Sequence, residues 1–81
     1  MSELFINNKN TYDLYNCDYL SITKLTITNA KNINSLLDKL YKFTNLQILD
    51  LSNNQITEIK DIKGLDNLVN LKVLDLSNNQ K

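Results

Sequence analysis

Apolar and polar positions alternate in the same way at two places in the chain. Leu49 and Leu51 bracket Asp50 and are followed by Ser52, while Leu74 and Leu76 bracket Asp75 and are followed by Ser77. A period of two marks a strand that buries one face. The whole phrase Leu46-Gln47-Ile48-Leu49-Asp50-Leu51-Ser52-Asn53-Asn54-Gln55 returns 25 residues later, from Leu71 to Gln80, with only Lys72 and Val73 changed. Upstream, Ile22-x-x-Leu25-x-Ile27 has the same spacing, with Lys24, Thr26 and Thr28 on the opposite side. The pattern predicts three short parallel strands, near residues 24–28, 48–52 and 73–77.

The segments between the strands have another rhythm. Ile56, Ile59, Ile62, Leu65, Leu68 and Leu71 recur at every third residue. That is tighter than an α-helix and suits 3₁₀ turns or extended coil laid along the back of the strands. Between the first two strands, Leu36, Leu37, Leu40 and Phe43 have a more helical spacing, with Asn34 or Ser35 as the cap and Asp38 three residues after Ser35. Gly64 is the only glycine and there is no proline, so a turn with positive φ is expected just before Leu65.

Asn54 and Asn79 sit where the chain must turn inward after a strand, leaving backbone groups without ladder partners. A carboxamide donates and accepts at once, so an asparagine there satisfies a carbonyl and an N–H together. Stacked on each other, the two form a ladder that staples neighbouring coils. The first copy has Ala30 at this position, and Ile33 falls one residue late compared with Ile56. That copy is therefore degenerate, as expected at the end of a stack.

The pattern Leu46-x-x-Leu49-x-Leu51-x-x-Asn54-x-Ile56-x-x-Ile59 resembles the leucine-rich repeat family, nearest the short subclass shared by phosphatase regulators and bacterial internalins. The resemblance covers about residues 21–81. The period is longer than usual for that subclass by one triplet, about one extra 3₁₀ turn on the back. It implies an α/β solenoid, with parallel strands on the concave face and 3₁₀, helical or coil segments behind. Residues 1–20 do not repeat. Leu4, Phe5, Ile6, Tyr12, Leu14, Tyr15, Tyr19 and Leu20 supply apolar mass for an N-terminal cap over Leu25 and Ile27, either helical or extended. Residues 21–81 then hold a degenerate first repeat, one full repeat and a truncated last one. The stop at Lys81, straight after the asparagine turn, leaves Leu74 and Leu76 at an open end. Such an end points to a piece of a longer repeat protein, or to self-association by strand pairing.

Composition narrows the function. Nine lysines balance nine acidic residues, and there is no arginine. Nucleic-acid affinity rests on cationic side chains neutralising phosphates, so a nucleic-acid partner is not expected. The first residues hold only a three-residue apolar run, too short for a signal peptide's core of roughly 7–15 residues, and no stretch is long and apolar enough for a membrane span. Cys17 is alone, which gives no intrachain disulfide; with the lack of an Asn-x-Ser/Thr acceptor this fits a cytoplasmic location. Cys17 reads as a small buried side chain whose thiol Asp18 would hold protonated. With no histidine there is no Ser-His-Asp or Cys-His arrangement, no zinc site is assembled, and one glycine cannot cradle a phosphate. No enzymatic activity, metal or cofactor is expected.

The candidate binding surface is the polar side of the strands: Lys24, Thr26 and Thr28, then Ile48, Asp50 and Ser52, then Val73, Asp75 and Ser77. Asp50 and Asp75 would stack as an acidic spot awaiting a basic side chain, beside the apolar pair Ile48 and Val73. The same wording also serves as plain repeat consensus. The expected function is a protein–protein interaction module that binds on the concave strand face. The rival readings are a non-autonomous fragment of a longer repeat protein and a regulatory subunit of an enzyme such as a phosphatase.

Overall fold

The computed structural model describes residues 2–30, 33–56, 62 and 64–79. Four strands, β1 (Ser2–Ile6), β2 (Ile22–Ile27), β3 (Ile48–Asp50) and β4 (Val73–Asp75), form one sheet in the order β1-β2-β3-β4. Every neighbouring pair is parallel. Each connection therefore crosses behind the sheet, and the molecule is an α/β solenoid in which one strand and one return segment make one coil. The return segments are short: 3₁₀ turns at Thr11–Tyr15, Tyr19–Ser21, Leu40–Lys42 and Leu65–Asn67, and a single α-helix among the described residues, α1 (Ile33–Leu37).

The register explains the core. Leu4, Leu25, Leu49 and Leu74 are Cα partners across the sheet, and Ile6 pairs with Ile27. Of these, Leu4, Ile6, Leu25, Ile27 and Leu49 pack with Leu14, Leu36, Leu37, Leu40, Phe43, Leu46, Leu51, Ile56, Ile62 and Leu68. Leu25, Ile27, Leu49 and Leu51 are completely buried, while Leu74 at the sheet edge remains 36% exposed. Phe43 lies in the middle of this core and receives the Tyr19 ring edge-on, with centroids 5.0 Å apart. Such T-shaped pairs add to the area they bury, because the positive ring edge meets the negative ring face.

Several details differ from the sequence reading, each for a local reason. The sheet has four strands rather than three: β1 pairs with β2 along its length, with an irregularity between Ser2 and Glu3. Its Leu4-Phe5-Ile6 run is apolar at the outward middle position, and the Asn7-Asn8 doublet follows one residue earlier than in the two close copies, so the strand falls outside the repeated pattern. Strand β2 begins earlier than expected, at Ile22, and β3 and β4 stop at the aspartates. They stop there because each aspartate accepts a hydrogen bond from the backbone two residues on, which turns the chain. Asn34 and Ser35 lie inside α1 and not at its cap. The helix starts at the buried Ile33, which anchors its first turn in the core.

On the back, the triplet rhythm continues as buried Ile56, Ile62 and Leu68 with half-buried Leu65 and Leu71, whereas Ile59 lies outside the described residues. Gly64 has φ +86°, and a Cβ there would come within 3.0 Å of the Tyr41 backbone nitrogen. Glycine is required twice over, for the left-handed turn and for the close approach of two neighbouring coils.

Candidate functional site

The strand pairing lays the polar side of the sheet out in rows. In the first, Glu3, Lys24, Ile48 and Val73 are successive Cα partners; in the second, Phe5, Thr26, Asp50 and Asp75. Thr28, Ser52 and Ser77 follow the strand ends, where the Thr28 N–H donates to the Ile6 carbonyl at 3.0 Å. All nine candidate residues are half-buried or exposed. Strand β1 adds two residues to this face that the sequence pattern did not reveal, Glu3 and Phe5. Phe5 is 51% exposed at the end of the aspartate row, and Val73 is 48% exposed at the far end of the other. Glu3 reaches Lys24 at 3.5 Å, so that lysine is already paired across the sheet. Both partners are solvated, and such a pair is worth little in stability.

The two aspartates have a structural role as well as a place on the face. Asp50 Oδ1 accepts from the Ser52 N–H at 3.0 Å, and Asp75 Oδ1 accepts from the Ser77 N–H at 2.9 Å. The backbone hydrogen bond from Ser77, followed by that of its side chain, holds the Asp75 carboxyl below the usual carboxylate range. It is therefore ionised at neutral pH, with one oxygen fixed by the turn.

The turns after the strands hold two asparagine columns with different work. Asn54 is 7% exposed, and its Oδ1 accepts from the Ala30 N–H at 3.1 Å. Its Nδ2 donates to the carbonyls of Ile27 at 2.7 Å, Leu51 at 2.8 Å and Ser52 at 3.2 Å. Asn79 repeats this one coil later, accepting from Ile56 at 3.0 Å and donating to Leu51 and Leu76 at 2.9 Å each. Each carboxamide thus ties its own coil to the one before it. The second column is Asn29, Asn53 and Asn78, all left-handed with φ of 52°, 60° and 58°. Asparagine tolerates that conformation better than other non-glycine residues. The Asn-Asn doublet at 53–54 and 78–79 was the available signal, with the first member making the bend and the second making the staple.

A third set was missed in the sequence. Asn45 Nδ2 donates to the Leu20 carbonyl at 2.8 Å, and Asn70 Nδ2 to the Thr44 carbonyl at 3.3 Å. These equivalent residues staple the coils at the other end of the strands. Beside the post-strand turns, Asn8, Asn29, Ala30, Asn53, Asn54, Gln55 and Asn78 line an open cavity of about 510 Å³ with no charged group in its wall.

Among the described residues, no group of His, Cys, Asp or Glu is placed to hold a metal ion, and no helix is long and apolar enough to cross a membrane. Cys17 is half-buried, with its thiol 3.7 Å from the Leu14 carbonyl. Burial, and then the charges of Asp18 and Asp13, push that thiol above its ordinary pKa.

Residues 44–81 match the family model described as Leucine Rich repeats (2 copies). The matched stretch holds β3, β4 and the return segment between them, so the family resemblance of the two close copies and the parallel stacking of their strands agree. Neither the curated proteins nor the solved structures gave a match to the chain. Leucine-rich repeats generally serve as protein-binding modules, and usually as non-enzymatic ones.

Proposed function

We propose that the chain is a protein–protein interaction module that takes its partner on the outward face of the sheet. The observation that carries this reading is the register. It sets Ile48 and Val73 in one row and Asp50 and Asp75 in the next, so that apolar and anionic contacts lie side by side on a rigid support. A basic side chain of the partner meets the carboxylate oxygens left over by the turns, while its apolar neighbours cover Ile48, Val73 and Phe5. Lys24, Thr26, Thr28, Ser52 and Ser77 form the polar surround. Charge at such a face chiefly sets specificity and encounter rate, whereas the buried apolar anchors hold the complex.

This reading extends the repeat upstream of residue 44, because β2 and β1 continue the same parallel stack. The short, internalin-like subclass with its phosphatase regulators is the nearest pattern, and modulation of an enzyme held on the face is one form the function takes. The setting proposed is cytoplasmic and non-catalytic. Residues 1–20 act as the cap of the stack.

The test is a pull-down from cell extract with the wild-type chain and an Asp50→Lys plus Asp75→Lys variant. The variant is expected to lose the wild-type partners, and an Asp50→Asn plus Asp75→Asn protein, which keeps an acceptor for the Ser52 and Ser77 N–H groups, is expected to lose them as well with its circular dichroism spectrum unchanged. Equal capture by all three proteins would sink the assignment of this face.

A second reading is favoured by the state of β4. The Val73 N–H donates to Gln47 and the Asp75 carbonyl accepts from Leu51, so both face β3. By the alternation of a strand, the Leu74 backbone points away from the sheet, beside a side chain 36% exposed. Self-association through this edge is expected to appear as concentration-dependent mass in sedimentation equilibrium. A constant monomer mass across the concentration series would remove it.

A further inference from the structure

Three of the chain's tyrosines, Tyr15, Tyr19 and Tyr41, gather around Lys39 and Lys42. Tyr12 and Tyr15 belong to the Thr11–Tyr15 3₁₀ turn, where residues three apart eclipse each other and share a side. The Lys39 ammonium lies 5.5 Å from the Tyr15 ring centroid. One turn along, Lys42 lies 5.0 Å from Tyr19 and 6.0 Å from Tyr41. The Lys42 N–H donates to the Lys39 carbonyl, which ties the two lysines into one short element. Tyr19 is itself held edge-on against buried Phe43, so the patch is anchored to the core. Tyr12 is 79% exposed, Tyr41 49% and Tyr15 38%.

Among the described residues, the ion pair that forms is Lys24 with Glu3, on the other side of the molecule. Ring faces position the ammonium groups of Lys39 and Lys42, and both residues remain partly open to solvent. A cation held in this way loses less side-chain freedom when it meets an anion. Exposed tyrosines supply broad contact area and a hydroxyl at small entropic cost, which is why they recur at binding surfaces.

We propose that this flank is a second docking surface, distinct from the sheet face, for an acidic segment of another protein. Carboxylates of the segment pair with Lys39 and Lys42, and apolar side chains between them pack on Tyr12, Tyr15 and Tyr41. Asp13 and Asp18 act on Cys17 in the same cap. They repel acidic groups on that border, so the segment's anionic end is confined to the lysine side. A single-stranded nucleic acid fits less well. Two lysines on a chain of zero net charge neutralise few phosphates, and the ring faces that bases would stack on carry the chain's own ammonium groups.

The chain has no tryptophan, and three of its four tyrosines lie at the two lysines, so tyrosine fluorescence reports chiefly on this flank. The experiment titrates the whole chain with a short synthetic peptide in which glutamates flank a Leu-Leu pair. Two controls accompany it, the same peptide with glutamine for glutamate and an oligouridylate. Expected is a saturable, salt-sensitive change with the glutamate peptide, weakened about tenfold in a Lys39→Gln plus Lys42→Gln variant that removes both cations. Tyr12→Ala, at a site too exposed to affect folding, is expected to weaken it as well. The Asp50→Lys plus Asp75→Lys protein should respond like wild type, which separates this surface from the sheet face. Equal binding of the glutamate and glutamine peptides, tighter binding of oligouridylate, loss of the response in the aspartate variant, or no response to any probe would each overturn the proposal.

Discussion

Replacing Asn54 with alanine is expected to cost about 3 kcal/mol of folding stability, as read by chemical or thermal unfolding. The size follows from what the substitution leaves behind. The Ala30 N–H and the Ile27 carbonyl, both on buried residues, lose a partner, and the Leu51 carbonyl loses one of its two donors. An unpaired buried group costs about 1–3 kcal/mol, far more than the net worth of the bond when made. For a chain of this size, each kcal/mol moves the midpoint by roughly 4–8 °C, so a fall of more than about 12 °C is expected. Asn79 offers the internal control. It makes the same set of hydrogen bonds one coil later but is half-buried, so water takes over part of its work. Asn79→Ala is expected to cost about 1 kcal/mol. If the two variants melt together, the asparagine staple is not a source of stability here.

The largest single effect is expected from Phe43→Ala. Phe43 is fully buried, and it is the residue on which Tyr19 rests and around which the return segments pack. Removing an aromatic side chain from a core costs about 3–5 kcal/mol, from the forfeited transfer energy and from the cavity the neighbours cannot fill. A domain of this length has in total on the order of 4–12 kcal/mol. The variant should therefore melt at least about 12 °C below wild type, taking roughly 4–8 °C for each kcal/mol. Phe43→Leu keeps most of the volume and should fold, although Tyr19 then has no ring to rest on. Circular dichroism melts of both variants decide the matter. A cooperative Phe43→Ala melt near wild type would mean that the coils do not share one core.

The two predictions fall on features with different visibility in the sequence. Asn54 was legible because its position recurs at Asn79, at the same distance from the same leucines. Repetition converts a single polar residue into a geometric requirement. The outward rows were legible for the same reason, since alternation in a strand assigns each residue to a face. Phe43 could be placed in the core by its spacing, but its edge-on packing with Tyr19 could not. Those two residues are far apart in the chain and meet only when one coil lies on another. The αL asparagines were half legible. Asn is among the residues that tolerate positive φ, yet Thr28-Asn29-Ala30 lacks the doublet that marks the other two turns.

Sequence alone determined the local grammar of the protein: strand, asparagine turn, triplet return, and the need for stacking. Each of these depends on neighbours within a few residues, where periodicity and steric preference act directly. Tertiary structure decided what happens between coils. It recruited Leu4-Phe5-Ile6 as a fourth strand, set Glu3 against Lys24, brought Gly64 onto the Tyr41 backbone, and drew Tyr15 and Tyr19 to the two lysines beside Tyr41. None of these follows from local pattern, because register between stacked coils is fixed by the collective burial of the core, to which distant segments contribute together.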